Sequence, residues 1–343
     1  MVRYEVTIFH RILDILLLVC AWSIVLGIFL TASQHFNIQN NSTQVRVLLR
    51  SPQDKADNRS GVNKVSQDAR IVRNSKLPNC LIIGFSKCGT LALRGFLSLH
   101  TDIVSPQREI RYFNVFYKRG LQWYRNQMPP SSEGQITLEK TPSYIMSAEA
   151  LKRIYQFNSS IRLIIIVRDP ITRLQSLHAH MFQGMPKSSK VPSFREWCGG
   201  RARTARVVRV ADYAHPVGNV FKLFPRHQVL VLSEESLEQN PLRVMREAER
   251  FLGLKSSISK TDFVYNEPKG FYCFNTSSRK YPKIVKSVVL NEKTGCLGSG
   301  KGRKHPDIDN SLLKELVDII RPYNERLFSM IGKRFKWKNF EAM

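Results

Sequence analysis

Acidic residues are scarce in this chain of 343 residues, which contains 27 Asp and Glu against 53 Lys and Arg. The formal net charge is therefore +26. An excess of this size creates a field that attracts polyanions such as nucleic acid, anionic lipid or sulfated glycan. The basic residues are spread along the chain and do not form one tail, so a merely soluble surface is the alternative. The charge favours a polyanionic partner without choosing among them.

The chain also has few cysteines and no internal repeat, and with 43% hydrophobic residues it can bury one large core. Six cysteines fit an oxidising compartment only loosely, because Cys20 lies in an apolar segment and Cys80, Cys88 and Cys198 have no obvious partners. Cys273 and Cys296 bracket a polar insert, and we predict that they form a disulfide. Closing that loop would stabilise the fold by roughly 3 kcal/mol. Two unpaired thiols are the alternative.

Charged side chains are absent from residues 15–33, which are long enough to cross a bilayer as a helix. We predict a retained signal-anchor there, after a cytoplasmic tail at residues 1–14. A cleaved signal peptide is the alternative, because Arg3 and Arg11 precede the apolar run and small residues follow it. Residues 34–76 are polar and poor in aromatics, so we expect a stem. Residues 77–343 would form the lumenal domain.

Five Asn-X-Ser/Thr triplets support a lumenal location, although such triplets also arise by chance. The predicted glycosylation sites are Asn40, Asn41, Asn58, Asn158 and Asn275.

Short apolar runs alternate with helix-periodic stretches throughout the domain. Strands are predicted at residues 80–84, 135–139, 162–167 and 228–232, and helices at residues 91–99, 171–182, 242–252 and 311–331. This alternation predicts an α/β fold with a central parallel sheet covered by helices on both faces.

A glycine-bearing turn, GFSKCGTLAL at residues 84–93, lies between the first strand and the first helix. Such a turn aims backbone N–H groups and a helix N-terminus at a phosphate. It resembles a P-loop with a displaced lysine, because Thr90 follows the second glycine and Lys87 lies inside the loop. That displacement disfavours a nucleoside triphosphate, and with it a kinase. Taken alone, the turn could be an ordinary tight connection.

Arg168 follows the strand at residues 162–167. Ligands of open α/β sheets bind outside the carboxyl ends of the strands, so Arg168 and Lys87 could converge on one nucleotide. The alternative is an ion pair between Arg168 and Asp169 or another carboxylate. Downstream, GSGKGRKHP at residues 298–306 is a basic loop that suits an anion, or a solvated turn.

Several separated motifs occur in the order found in heparan sulfate glucosamine 3-O-sulfotransferases, which the chain resembles from about residue 78 to residue 337. The motifs are the phosphate turn, EKTPSY at residues 139–144, RDP at residues 168–170 with Ser176, KGFYC at residues 269–273, and Cys296 before KGRKHP at residues 301–306. Several motifs in one order are far more specific than any single one.

The resemblance implies a sulfotransferase fold and a donor site for 3′-phosphoadenosine 5′-phosphosulfate. The phosphate turn would hold the 5′-phosphosulfate, Arg168 and Ser176 would hold the 3′-phosphate, and Tyr272 and the basic loop would close over the nucleotide. The residues implied for donor binding are Lys87, Cys88, Gly89, Thr90, Leu91, Arg168, Ser176, Tyr272, Lys301, Gly302, Arg303, Lys304 and His305.

The resemblance also implies that Glu109 is the catalytic base for an acceptor hydroxyl, a role that a carboxylate within hydrogen-bond reach can fill. Lys87 and Lys140 would stabilise the charge that grows on the oxygen bridging sulfur and phosphorus, and no metal would be required. The implied acceptor contacts are Arg111, Asn114, Lys140, Thr141, Pro142 and Ser143. Without the family motif, a surface salt bridge between Glu109 and Arg108 or Arg111 would be the simpler interpretation.

Three positions depart from the family pattern: Arg111 stands where histidine is expected, Asn114 where aspartate is expected, and Ser86 where arginine is expected. The charge of Arg111 would keep Glu109 ionised and make it a weaker base. We therefore expect a Golgi-membrane heparan sulfate glucosamine 3-O-sulfotransferase that binds heparan chains and not nucleic acid. A catalytically weak heparan-binding relative, or an enzyme with another acceptor position, is the alternative.

Overall fold

The computed structural model describes residues 74–186, 189–199, 201–298 and 304–341. The predicted anchor, most of the predicted stem and the sequons at Asn40, Asn41 and Asn58 lie outside these residues, as do Lys301, Gly302 and Arg303. Within the described part of the chain, the helices are too short or too polar to cross a membrane.

The strands of the described segments form a central parallel sheet and two small antiparallel pairs. They are β1 (Asn74–Ser75), β2 (Cys80–Gly84), β3 (Ile103–Val104), β4 (Pro130–Ser131), β5 (Ile136–Lys140), β6 (Arg162–Val167), β7 (Val229–Ser233), β8 (Phe263–Asn266) and β9 (Phe271–Phe274). The central sheet has the order β3-β5-β2-β6-β7, and each neighbouring pair is parallel. This confirms the predicted parallel sheet.

The helices follow the strands in the alternation that the sequence predicts. They are α1 (Thr90–Leu97), α2 (Gly120–Asn126), α3 (Ala148–Phe157), α4 (Pro170–Met181), α5 (Phe194–Cys198), α6 (Arg201–Ala211), α7 (Ala214–Phe221), α8 (Glu234–Gln239), α9 (Pro241–Phe251), α10 (Tyr281–Val285), α11 (Asn310–Ile331) and α12 (Lys338–Glu341). Every residue of β2 and β5 is buried, as expected for strands covered on both faces.

The carboxyl ends of four parallel strands meet at one edge of the sheet, which is where ligands bind in open α/β folds. Gly84 ends β2, Lys140 ends β5, and Arg168 directly follows β6. Glu234 directly follows β7. The topology therefore brings the glycine turn, two basic side chains and one carboxylate to the same edge.

The β8–β9 hairpin packs against α1 and carries the confirmed disulfide between Cys273 and Cys296. A Cβ on Gly95 of α1 would lie 2.9 Å from Cζ of Phe274, so this close approach requires glycine. The disulfide therefore joins β9 to the chain that leads into the basic loop. Among the described cysteines, Cys80, Cys88 and Cys198 are free and buried.

Candidate functional site

The glycine turn connects β2 to α1 through two residues in the left-handed region, Lys87 at φ 70° and Gly89 at φ 74°. A Cβ on Gly89 would lie 2.8 Å from Cγ of Glu234, and the positive φ would strain any other residue there. Gly89 precedes α1 without a side-chain cap. The backbone N–H groups of the first turn of α1 can therefore serve an anion.

A cavity of about 620 Å³ opens at this edge of the sheet and unites most of the predicted site. That volume falls in the usual range for ligand pockets. The predicted residues that line it are Lys87, Gly89, Thr90, Leu91, Glu109, Lys140, Pro142, Arg168, Ser176, Tyr272 and His305. The structure thus brings the proposed donor loop, base and cations together.

Six of the predicted donor-binding and acceptor-binding residues that the structure describes are not part of the cavity lining: Cys88, Arg111, Asn114, Thr141, Ser143 and Lys304. Cys88 points into the core, where its thiol lies 3.5 Å from the Tyr213 hydroxyl, and burial raises its pKa to about 11. Its backbone N–H donates to the Phe85 carbonyl. In this conformation, Cys88 contributes to the shape of the loop and not to its exposed face.

Glu109 and Lys140 form an ion pair inside the cavity, with 2.6 Å between Oε1 and Nζ. The Glu109 side chain is 42% exposed, whereas the Lys140 side chain is 7% exposed. Burial lowers the pKa of Lys140, and the adjacent Glu109 carboxylate offsets part of that effect. Arg108, one of the partners considered from sequence, instead donates to Gln127 Oε1 at 2.6 Å. Glu109 is therefore paired with a buried cation and open to a ligand.

The segment that carries Glu109 is held by the EKTPSY motif. Glu139 is fully buried, and its Oε1 accepts from the Thr141 hydroxyl at 2.6 Å and the Ile110 N–H at 3.5 Å. The Arg111 N–H donates to Thr141 Oγ1 at 3.1 Å. Thr141 thus positions the segment from inside the core. The sequence indicated that this motif matters, but it gave Glu139 no role.

Two predicted acceptor contacts, Asn114 and Ser143, form a hydrogen bond with each other between the Glu109 segment and the loop after β5. Asn114 Nδ2 donates to Ser143 Oγ at 2.9 Å, while the buried Asn114 Oδ1 has no hydrogen-bond partner among the described residues. Both residues therefore fasten the Glu109 segment to the loop that follows β5.

Arg168 lines the cavity and also forms an ion pair, with 2.8 Å between its Nε and Oε2 of Glu234. Of the two interpretations considered from sequence, the structure shows the pairing with a carboxylate. Ligand binding by Arg168 stays a prediction, and its place in the cavity lining is compatible with it. Burial and the cations of Arg168 and Lys87 lower the pKa of nearby His305 to about 4, so its imidazole is neutral at pH 7. Ser176 reaches the same cavity from α4.

Several lining residues were missed from the sequence: Glu234, Glu238, Lys269, Phe271 and His180. Glu234 could have been found from the sequence, because it directly follows an apolar run that predicts a strand, and ligands bind at the carboxyl ends of such strands. Lys269 and Phe271 lie in the KGFYC motif, in which only Tyr272 and Cys273 had an assigned role. Glu238 follows Glu234 by one turn of α8, a spacing that becomes visible once α8 is recognised.

Comparison with known proteins agrees with this geometry. Residues 77–330 match the sulfotransferase domain family. Human heparan sulfate glucosamine 3-O-sulfotransferase 6 is 37% identical over 267 residues, which cover 76% of this chain and 74% of the relative. Mouse heparan sulfate glucosamine 3-O-sulfotransferase 3A1 is 37% identical over 270 residues, which cover 77% of this chain and 65% of the relative.

Among solved structures, a sulfotransferase from Alicyclobacillus acidocaldarius shares the fold. Its TM-score is 0.53 at 20% identity, and the match covers 76% of this chain and 98% of that chain. The chain thus shares the sulfotransferase fold.

Proposed function

Because the chain belongs to the heparan sulfate glucosamine 3-O-sulfotransferases, we propose that it moves a sulfo group from 3′-phosphoadenosine 5′-phosphosulfate to the 3-hydroxyl of glucosamine units in heparan sulfate. The observation that carries the proposal is one cavity that contains both the glycine turn and the Glu109–Lys140 pair. A donor loop and a base must share a site if the sulfo group is to pass directly to an acceptor.

The residues at the glycine turn fit the donor. The tight contact between Gly89 and Glu234 leaves no room for a side chain beside the uncapped first turn of α1. Backbone N–H groups there and the Lys87 side chain would hold the 5′-phosphosulfate, while Arg168 and Ser176 would hold the 3′-phosphate. The bound donor supplies the activated sulfo group. Tyr272 and His305 would border the rest of the nucleotide.

Glu109 would act as the base on the acceptor side of the cavity. Its exposed carboxylate can accept the proton of a sugar hydroxyl, which is a poor nucleophile until that proton leaves. Lys140 Nζ orients the carboxylate through the 2.6 Å contact. The charge of this buried lysine would also stabilise negative charge that develops on the leaving oxygen. The net charge of +26 would draw a sulfated polymer towards this site.

We also propose that the domain lies in the Golgi lumen behind a type II membrane anchor. The Cys273–Cys296 disulfide supports an oxidising compartment. The Asn158 sequon follows α3 on a turn whose next two residues, Ser159 and Ser160, are exposed. Asn275 already donates its Nδ2 to the Thr261 carbonyl at 2.8 Å, so of the two sequons in the described residues we favour Asn158 as a glycosylated site.

The test is sulfo transfer by the full chain from labelled 3′-phosphoadenosine 5′-phosphosulfate to heparan sulfate, followed by disaccharide analysis. We expect label on glucosamine O-3, and none on chondroitin sulfate, a polyanion that lacks glucosamine. Label at another position would replace the proposed regiochemistry. Binding of both donor and heparan sulfate without transfer would identify a heparan-binding relative of the enzymes.

A further inference from the structure

A carboxylate lies in the part of the cavity where a donor phosphate would meet Arg168. Glu234 Oε2 is 2.8 Å from Arg168 Nε, and the two side chains are 11% and 15% exposed. Both residues line the cavity. Neither Arg168 Nε nor Glu234 Oε2 makes a hydrogen bond to any described residue. Both atoms are buried, so the pair is held by charge, while other parts of the two side chains border the cavity.

Glu234 also contacts the phosphate turn. Its Cγ occupies the space that a Cβ on Gly89 would need, at a distance of 2.8 Å. The backbone of Glu234 is fixed at the junction of β7 and α8, where Ser233 Oγ caps the helix by accepting from the Ser236 N–H. The carboxylate is thus fixed between the two groups proposed to bind the two phosphate-bearing ends of the donor.

Charges of both signs surround this pair. Burial raises the pKa of Glu234 well above its usual range, the neighbouring Glu238 and Glu235 carboxylates add to the rise, and Arg168 opposes it. A dianionic phosphate at Arg168 would raise the pKa of Glu234 further, because two negative groups would share one guanidinium. The titratable groups that act on Glu234 or on Arg168 include Cys88 of the phosphate turn, Glu235 and Glu238 of α8, and His305. Lys87 acts together with Arg168 on His305.

We infer that Glu234 is a specificity-determining residue of the donor site. Its carboxylate competes with the donor's 3′-phosphate for Arg168, and it takes up one proton from solvent when the nucleotide binds. The protonated carboxyl can then donate a hydrogen bond to a phosphate oxygen, and the proton returns to solvent when the nucleotide leaves. This inference rests on the proposed function, because it requires Arg168 to meet a donor phosphate.

The sign of the pH dependence follows from this linkage. The bound nucleotide stabilises the protonated form of Glu234, so binding consumes a proton and affinity falls as pH rises. His305 would add to the uptake, because phosphates would also raise the low pKa that it has between two cations. The contribution of Glu234 is therefore the difference between the wild-type protein and a variant that cannot titrate at this position.

The experiment is calorimetric titration of the full chain with adenosine 3′,5′-bisphosphate at about pH 6 and about pH 8, in buffers of different ionisation enthalpy that report the protons taken up. Glu234→Gln should bind about tenfold more tightly at the higher pH, the equivalent of one pKa unit. It should also lose much of the pH dependence and proton uptake. The gain should be smaller for adenosine 5′-monophosphate, which has no phosphate for Arg168.

Glu247→Gln is the matched control. Glu247 Oε1 accepts a hydrogen bond from Lys333 Nζ at 3.0 Å, and Glu247 is not among the residues lining the cavity. The control variant therefore loses the same charge without changing the Arg168–Glu234 pair. Its binding should equal that of the wild type.

Equal affinity and proton uptake in Glu234→Gln and the wild type would overturn the inference alone. Wild-type binding that takes up no proton at either pH, once the ionisation of the free nucleotide's own phosphates is subtracted, would overturn it as well, whether or not the variant folds. Failure of every variant to bind the bisphosphate would instead overturn the proposed donor site, and the inference with it.

Discussion

Glu109 and Lys140 differ in exposure, and we assign them different roles on the acceptor side: Glu109 is the base, and Lys140 orients it. The carboxylate is open to the cavity, whereas the ammonium is almost fully buried beneath it. Behind them, the buried Glu139 and Thr141 hold the backbone at Ile110 and Arg111. The position of the base thus depends on a hydrogen-bond network inside the core as well as on its own ion pair.

Thr141→Val tests that dependence, because valine keeps the shape and removes the hydroxyl. The change leaves the buried Glu139 carboxylate and the Arg111 N–H each short of one partner. We expect the free energy of unfolding to fall by about 1–3 kcal/mol. We also expect kcat to fall while donor affinity is retained, because the Glu109 segment shifts. Urea unfolding and transfer kinetics measure both effects.

Thr101→Val is the control for this substitution, since Thr101 is exposed and follows α1 outside the cavity lining. A Thr141→Val protein that loses stability and keeps the wild-type kcat would show that the network does not position the base.

At the scale of elements, the strongly patterned segments were predictable and the short ones were not. The strands Cys80–Gly84 and Arg162–Val167 agree exactly with the apolar runs, because buried parallel strands are continuously hydrophobic. Ile103–Val104 was missed because two residues carry no periodicity. The β8–β9 hairpin was missed because each of its strands has only four residues, which is too short to show a clear period.

Disulfide removal is the prediction at this scale. Cys273→Ser opens a cross-link between residues separated by 23 positions, and we expect the free energy of unfolding to fall by about 3 kcal/mol. Tyr272 is the preceding residue of β9 and lines the cavity, so donor affinity should fall too. Thermal unfolding with and without reductant measures the first effect, and nucleotide titration measures the second.

Wild-type protein in reductant should behave like the Cys273→Ser variant, and the variant should not respond to reductant. A variant as stable as the oxidised wild type would contradict the structural role given to this bond.

For the whole molecule, the parallel sheet explains why distant parts of the sequence form one site. The alternation of strands and helices was enough to predict the fold class and to place Lys87 and Arg168 at one edge. The pairing of Arg168 with Glu234 was not predictable, because it depends on how β6 and β7 lie in register and on the packing of α8 beside the turn. The order of residues along the chain does not show which side chains of neighbouring strands come within contact distance.

Ionic strength should change the KM of the acceptor and the KM of the donor to different extents. Surface charge attracts the sulfated acceptor, and salt screens that attraction over a Debye length of about 8 Å at physiological ionic strength. We expect the acceptor KM to rise strongly with added salt and the donor KM to rise less, because the donor cations are partly buried. Steady-state kinetics at several salt concentrations measure both. An acceptor KM that does not respond to salt would contradict a role for the net charge of +26.

The most direct test of the account is the sulfo-transfer rate of Glu109→Gln, measured together with its affinity for adenosine 3′,5′-bisphosphate. Glu133→Gln, at an exposed turn, is the matched control. We predict a loss of about 10²–10⁴-fold in kcat for Glu109→Gln, the range for a general base. Nucleotide affinity should be unchanged, and the control should keep its activity. A Glu109→Gln protein that transfers sulfate at the wild-type rate would contradict the assignment of the base and the proposed mechanism.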